Sequence, residues 1–467
     1  MTGAPPAATI AVVGGGITGL TAAFRLVRQG LPVTLYEASG RLGGVIQSIR
    51  RDGYLAEFGP NSILETSPKI TALIQDAGLA DRRIYSDPAA ENRYIVRGKR
   101  PVGMPVSPAG FFGTKLFSAG AKLRLLAEPF VRRAPADAEE DLAHFVLRRI
   151  GREFLDYAIN PFVAGVYAGD PARLSVQHAF PKLAAIEQRY GSLILGQVLG
   201  ARERKRRAEV SKQDAKKISF DEGLQVLTDT LRARLGEAVC LGTAVQSLEQ
   251  SARGWTVKSK SASGETRREH LAVLLAAPAY KLAEIDVPAL TAAGLGLATL
   301  GQIHYPPVAS VVLGFRRSEV RHPLDGFGML IPAVEGCKIL GSLFSSSLFP
   351  NRAPAGCVTL TSYIGGVRAP ELALRNSDEL VAMTVADLRE ILGITGQPTF
   401  QHHILYPKAI PQYEVGYGRF KDLMTQAEAK APGLFFAGHY RDGISLGDSI
   451  VSGHNVADRL AAFCRTA

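Results

Sequence analysis

Residues 8–37 constrain the fold more than any other stretch of this chain. The apolar run Thr9-Ile10-Ala11-Val12-Val13 suits a buried strand and passes directly into Gly14-Gly15-Gly16-Ile17-Thr18-Gly19. A helix-like segment over 20–29 is stopped by Gly30, and a second strand, Val33-Thr34-Leu35-Tyr36, ends on Glu37. Strand, glycine-rich turn, helix, strand and acid at this spacing describe the first βαβ unit of a dinucleotide-binding fold. Gly14 permits the tight turn, Gly16 lets a pyrophosphate approach the backbone, and Gly19 lets helix and strand pack closely. The helix start offers N–H groups and a partial positive charge to phosphates. Glu37 stands where a carboxylate accepts hydrogen bonds from an adenosine ribose.

The residues that follow select the nucleotide. Gly40-Arg41-Leu42-Gly43-Gly44 comes at once after that acid. It resembles the GRxGG signature of flavin amine oxidases, carotene desaturases and protoporphyrinogen oxidases, where the motif lies against bound FAD. Arg41 supplies a fixed cation for phosphate, while Gly43 and Gly44 let the backbone pass close to a cofactor. FAD is therefore expected in place of a free nicotinamide nucleotide.

The chain has 467 residues, enough for two or three domains with substantial cores. No apolar run approaches the roughly 20 residues of a membrane-spanning helix, and no charged-then-apolar leader opens the sequence. The cysteines at 240, 337, 357 and 464 show no CxxC spacing. That suits structural thiols in a reducing compartment and argues against zinc. The adjacent His402 and His403 would face opposite sides of a strand, so no metal is expected. Eight of the Lys/Arg residues fall between 202 and 217 with only three acids, which accounts for much of the net charge of +11. That run carries no aromatics to stack bases, so nucleic acid is not expected as a partner. It reads first as a solvated loop and second as a patch drawn to anionic lipid.

Expected organisation is an α/β fold: a Rossmann-type FAD-binding domain with an inserted α+β substrate domain and a mainly helical membrane-associated domain. The FAD domain is assembled from 1–90, 219–290 and 426–467. Residues 91–165 form the helical insertion, 166–218 the first part of the substrate domain with the basic loop, and 291–425 its second part. In the last FAD piece, Gly433-Leu434-Phe435-Phe436-Ala437-Gly438 reads as a buried strand, and a Gly-rich turn over 443–448 leads into a helix starting near Ser449. In the helical insertion, Phe111, Phe112, Leu116, Phe117, Leu123, Leu126 and Phe130 alternate with Lys115, Lys122, Arg124, Arg132 and Arg133. Such a segment either packs as two core helices or lies in a lipid interface with its cations toward phosphate.

Further segments resemble the oxygen-dependent protoporphyrinogen oxidase family along nearly the whole chain. They are Gly53-Tyr54-Leu55-Ala56-Glu57-Phe58-Gly59-Pro60-Asn61-Ser62, Asn92-Arg93-Tyr94 ahead of Gly98-Lys99, Gly165-Val166-Tyr167-Ala168-Gly169-Asp170 and Ser192-Leu193-Ile194-Leu195-Gly196. Gly326-Phe327-Gly328-Met329-Leu330-Ile331-Pro332 and Ile410-Pro411-Gln412-Tyr413 complete the set. The amine oxidases share the FAD motifs but lack the last, GVYAGD and GFGxLxP segments. The resemblance implies that Arg93 pairs with a propionate of a tetrapyrrole and that Gly169 admits the macrocycle. It also implies that Phe327 and Leu330 pack on the pyrrole rings beside a wall at Tyr363, where the family usually has an aliphatic residue or Met. It places FAD against Gly14, Gly16, Gly19, Glu37, Arg41, Gly43, Gly44, Gly59, Asn61, Val245, Gly438 and Leu446. Ser449 replaces a common family Cys and keeps a cap-competent side chain.

The implied reaction oxidises protoporphyrinogen IX to protoporphyrin IX by removing six hydrogens in three flavin cycles, with dioxygen going to hydrogen peroxide. No side chain is assigned as acid or base, because the flavin carries the redox chemistry. The alternative within the class is coproporphyrinogen III oxidation; an amine or carotenoid oxidoreductase, or a porphyrin carrier retaining FAD, is more distant. The resemblance further implies a cytoplasmic protein peripherally held on one leaflet, with homodimerisation and handover to a ferrochelatase left open.

Overall fold

The computed structural model describes residues 9–135, 138–206 and 215–466, without side chains over 201–206. Most of the basic run read above as a solvated loop therefore lies outside the described residues.

Five short strands make a parallel sheet in the order Val239–Cys240, Val33–Tyr36, Ile10–Val13, Ala272–Leu275, Leu434–Phe436. Ile10–Val13 and Ala272–Leu275 are buried at every position, as parallel strands covered on both faces must be. One face packs against the helices Ile17–Arg28, Gln225–Leu235 and Leu446–Thr466. The other is covered by an antiparallel three-stranded sheet, Ala244–Ser251, Gly254–Ser261 and Gly264–His270, and by the helix Gly418–Lys430. Trp255 is fully buried there and donates from Nε1 to Pro432 O at 3.1 Å. The strand order changes direction at the first strand, which opens a crevice beyond its carboxyl end.

His270 ties this layer to the sheet, hydrogen-bonded to Thr9 Oγ1 at 2.7 Å and Tyr36 Oη at 2.9 Å. Burial, aided by the nearby Arg268 charge, brings its imidazole down to about 4. The folded state therefore holds His270 neutral, while the unfolded chain protonates it near its ordinary pKa of about 6.5. Its contribution is complete above that value and is lost as pH falls toward 4, on the order of 3 kcal/mol at most. Urea denaturation between pH 7 and 4 should show this slope, and His270→Gln should flatten it; an unchanged slope would assign the acid sensitivity elsewhere.

A second, seven-stranded sheet runs Phe400–Tyr406, Val308–Arg316, Cys357–Gly365, Ile339–Leu343, Gly326–Leu330, Asn92–Arg97, Arg100–Gly103. Every pairing is antiparallel except that of Gly326–Leu330 with Asn92–Arg97. The helix Ser377–Leu392 covers its back, started by a reciprocal cap between Asn376 and Glu379. Residues 92–103, which the sequence places at the head of the helical insertion, are thus the last two strands of this sheet. Asn92–Arg97, with Ile95 and Val96, pairs with a strand more than 200 residues away, which local pattern does not reveal.

The helical lobe contains Pro108–Gly113, Ala119–Leu126, Leu142–Arg149, Asn160–Tyr167, Pro181–Tyr190 and Leu193–Arg206. Arg149, wholly buried, joins three of its parts. Its guanidinium meets Glu128 at 3.0 Å and Glu187, and donates to Val131 O at 3.1 Å. Glu128 in turn accepts from Ser192 Oγ and from the backbone N–H groups of Leu193 and Ile194 at 2.9 and 3.2 Å.

Candidate functional site: a flavin cleft facing a mixed sheet

At the end of Ile10–Val13 the three motif glycines do different work. A Cβ on Gly14 would lie 2.6 Å from Ala277 N, and one on Gly19 only 2.0 Å from Gly14 O, so neither tolerates a side chain. A Cβ on Gly16 would meet nothing within 4 Å. Gly16 is also the N-cap of Ile17–Arg28, and no side chain caps that helix. The crevice therefore keeps open space at the one position where a phosphate needs it, with helix N–H groups facing that space. Glu37 accepts from Gly15 N at 2.8 Å and Ser39 N at 2.7 Å, so its carboxylate is fixed at the end of the second strand. Thr243 N donates to Glu37 O at 2.8 Å, which brings the strand carrying half-buried Val245 beside it. These features fit the adenosine and diphosphate half of FAD.

Arg41 does not extend into the crevice: its guanidinium bonds the carbonyl oxygens of Leu42, Gly44 and Ile46. It closes the loop that carries Gly43 and Gly44, and Gly43 N donates to Gly15 O at 2.8 Å. Gly59 sits where a Cβ would fall 2.6 Å from Val45 O. Its carbonyl accepts from Tyr363 Oη at 2.9 Å, and Asn61 Nδ2 donates to the same hydroxyl at 2.9 Å. Tyr363 thereby pins the nucleotide-domain loop to the seven-stranded sheet.

The carboxy-terminal piece begins at Gly438, whose N–H donates to Ser452 Oγ at 3.0 Å. The following helix starts at Leu446, three residues before the expected Ser449. Its cap is Ser445, with Asp448 N donating to Ser445 Oγ at 3.1 Å and Ser445 N to Asp448 Oδ2 at 3.3 Å. Ser449 is buried inside the helix, where its carbonyl accepts from Thr18 Oγ1 at 3.2 Å. The Ser-x-x-Asp spacing of a capping box was the signal that identifies the true start.

Strand register decides which expected substrate residues meet. Ile95, Leu330, Gly341, Tyr363 and Ser310 lie opposite one another across five strands, and Arg93 lies opposite Gly328 one step along. Directly paired residues share a face, so Arg93, Leu330 and Tyr363 point to the same side. Gly328 and Gly341 add no side chains to that face. Phe327 is the extra residue of a bulge between Gly326 and Gly328. The bulge re-aims it away from the helix-covered back of the sheet; it packs with Ile84, Ala90, Leu348 and Phe349.

Above the sheet lies Asn160–Tyr167, so close that a Cβ on Gly165 would stand 2.3 Å from Leu330 Cδ2. Ala164, Ala168, Val308, Leu340, Tyr363, Ala409 and Ile410 form one apolar cluster. The turn at Ala168 and Gly169 is held by Gln412, whose Nε2 donates to Tyr167 O at 2.8 Å. Gln412 Oε1 is buried without a partner among the described residues, at the spot a Gly169 side chain would invade. Tyr413 donates to His439 O and accepts from Gly443 N, linking this segment to the carboxy-terminal turn. Gln412, Tyr413 and His439 were not assigned roles from sequence; the first two stood inside a recognised segment. Burial brings the His439 imidazole down to about 4, so it is neutral beside that turn at ordinary pH.

The chain belongs to the flavin-containing amine oxidoreductase family, whose model matches residues 17–461. It is 36% identical over 479 residues to protoporphyrinogen oxidase 2, chloroplastic/mitochondrial, of Arabidopsis thaliana, covering 97% of this chain and 94% of that protein. It is 29% identical over 458 residues to the coproporphyrinogen III oxidase of Bacillus subtilis (strain 168), with 95% and 96% covered. The crystal structure of an Exiguobacterium sp. 255-15 protein shares the fold, with a TM-score of 0.80 at 23% identity over 98% of this chain and 100% of that one. The protein is an FAD-dependent oxidase.

Proposed function

We propose that the chain oxidises a porphyrinogen to the corresponding porphyrin, with protoporphyrinogen IX as substrate and dioxygen as final acceptor. The observation that carries this reading is the single sheet face that gathers Arg93, Leu330 and Tyr363, with the glycines at 328 and 341 opposite them. A flat, mostly apolar macrocycle bearing carboxylates at one edge suits apolar walls with a guanidinium fork at the margin. When bound, FAD takes electrons from the substrate two at a time and passes them to dioxygen. The chain's own part is to orient and to exclude water. Gln412 fixes the Gly169 turn, Leu330 and Phe327 supply apolar wall, and Tyr363 locks the sheet to the Gly59–Asn61 corner. The strands 92–97, 326–330, 339–343 and 357–365 and the helix 160–167 carry no Asp, Glu or His, in keeping with a site that works by alignment. The Bacillus subtilis relative supports coproporphyrinogen III as the second reading.

Adding the FAD-loaded protein to aerated protoporphyrinogen IX should produce porphyrin fluorescence, faster than with coproporphyrinogen III. The opposite preference would move the substrate to the second reading; no fluorescence from either would overturn the function.

The helical lobe supports a peripheral membrane role. Phe112, Leu123, Leu126, Phe130, Val198 and Leu199 are exposed, Phe130 by 91%, among Lys115, Lys122 and Arg124. The Glu128–Phe130 turn abuts the start of Leu193–Arg206 through the Glu128 bonds, so one surface collects apolar groups from segments 60 residues or more apart. Among the described residues no helix is long and apolar enough to cross a membrane. The protein should float with vesicles containing anionic lipid, and Phe112→Glu with Phe130→Glu should leave it in the soluble fraction. Equal flotation of both forms would remove this surface from the account.

A further inference from the structure

Two hairpin turns of the seven-stranded sheet meet at one point. Gly98-Lys99 is the turn between Asn92–Arg97 and Arg100–Gly103, with φ +59° and +60°. Residues 333–338 join Gly326–Leu330 to Ile339–Leu343. Buried Glu335 holds one turn to the other, because Gly98 N and Lys99 N donate to its two carboxylate oxygens at 2.9 Å each. Beside this contact, Lys99 Nζ lies 3.3 Å from Cys337 Sγ and 3.3 Å from Glu390 Oε2 of the covering helix. Lys338 N and Ile339 N donate to Asp387 Oδ2 of the same helix at 2.7 and 2.9 Å, so the backbone next to Cys337 is fixed. Lys99 and Cys337 are both part-exposed, within reach of a small oxidant. Cys240, Cys357 and Cys464 are free thiols too, but among the described residues no other cysteine is hydrogen-bonded to a lysine.

We propose that Cys337 and Lys99 are the site of an oxidative cross-link, in which hydrogen peroxide, the product a flavin oxidase makes from dioxygen, joins Cys337 Sγ to Lys99 Nζ through an S–N bond. In the first step the peroxide O–O bond breaks, sulfur gains a hydroxyl and gives up two electrons, and the thiol proton leaves in water. A sulfenic acid condenses with a nitrogen held beside it. The Lys99 ammonium passes one proton to Glu390, and the free amine attacks sulfur. The S–N bond forms, the S–O bond breaks, and the hydroxyl leaves with a second nitrogen proton as water. Two electrons have then gone from sulfur to one peroxide, and the proton on Glu390 passes to solvent. An ammonium favours the reactive thiolate, but burial and the Asp387 charge outweigh it and hold the Cys337 thiol above its ordinary range. Cys337 therefore reacts under sustained peroxide and not in a single turnover. The bond ties the hairpin that carries Arg93 to the one that carries Leu330. The step needs only peroxide, whichever compound the flavin oxidises.

The test uses the FAD-loaded protein, incubated with excess hydrogen peroxide, alkylated with iodoacetamide and digested with trypsin for mass spectrometry. The wild type should yield a peptide pair joined between Lys99 and Cys337, lighter by two hydrogens than its free parts, with cleavage after Lys99 lost. Dithiothreitol should release the pair. Lys99→Arg and Cys337→Ser should each abolish it while keeping the flavin content and melting temperature of the untreated wild type. In Lys99→Arg, Cys337 should be trapped by dimedone as the sulfenic acid instead. Oxidised wild type should melt higher than its dithiothreitol-treated form, a rise that neither variant shows. Cys337 recovered fully alkylated, or carried to the sulfinic and sulfonic acids with no joined pair, sinks the cross-link, as does a pair joined at another lysine.

Discussion

Arg149→Met is expected to loosen the helical lobe by about 3–5 kcal/mol, because it strands charge that the fold has fully desolvated. Arg149 and Glu128 have no exposed side-chain surface and Glu187 has 3%. Without the guanidinium, Glu187 keeps its contact with Arg148 at 2.8 Å and the Ala134 N–H at 3.3 Å, and Glu128 keeps Ser192 and two backbone N–H groups. The loss should be local: limited proteolysis should cut within 108–206 at a protease dose that leaves the wild type intact, while flavin absorbance persists. Replacing Arg149, Glu128 and Glu187 together with apolar residues of similar volume should restore much of the stability, since the pair as a whole is near break-even against packing. A single variant that resists protease like wild type would mean the lobe is held by its apolar contacts alone.

Gly14→Val and Gly16→Ala should separate folding from cofactor retention. At Gly14 the backbone has φ +107°, and the new Cβ would press on Ala277 N, so both strain and overlap oppose it. That variant should purify without yellow colour and melt well below wild type, at a cost of several kcal/mol, roughly 3 or more. Gly16→Ala meets no protein atom, so the apoprotein should melt normally while FAD binds at least about tenfold more weakly. The measurement is the ratio of flavin to protein absorbance with a melting curve on each apoprotein. Normal FAD content in Gly16→Ala would move the phosphates away from that turn.

What the sequence made readable was what is local in the chain. The glycine spacing, the acid at Glu37 and the buried strands at 10–13, 272–275 and 434–436 depend on neighbours within one βαβ unit or on plain apolar runs. The alternating runs Ser310 to Phe315, Gly326 to Ile331 and Cys357 to Ile364 also read as strands, and each falls on one. Features that depend on register were not. Tyr363 looked like a pocket wall, yet its hydroxyl is committed to Gly59 and Asn61, about 300 residues away. Phe327 owes its direction to a one-residue bulge. The carbonyl contacts by which Arg41 closes its own loop were not legible either. The Arg149 network draws partners from three separate turns, each an ordinary charged residue when read alone.

The nucleotide sheet carries a consequence for how the protein is made. Its first strand, Ile10–Val13, is flanked on one side by Ala272–Leu275. At roughly 5–20 residues per second of ribosomal synthesis, it waits on the order of 10–50 s for that partner, and longer for Leu434–Phe436. The Arg149 network draws its partners from residues 128–194 and can close much earlier. A growing chain therefore completes this network while the nucleotide crevice is still unassembled, which leaves flavin capture to the end of biogenesis.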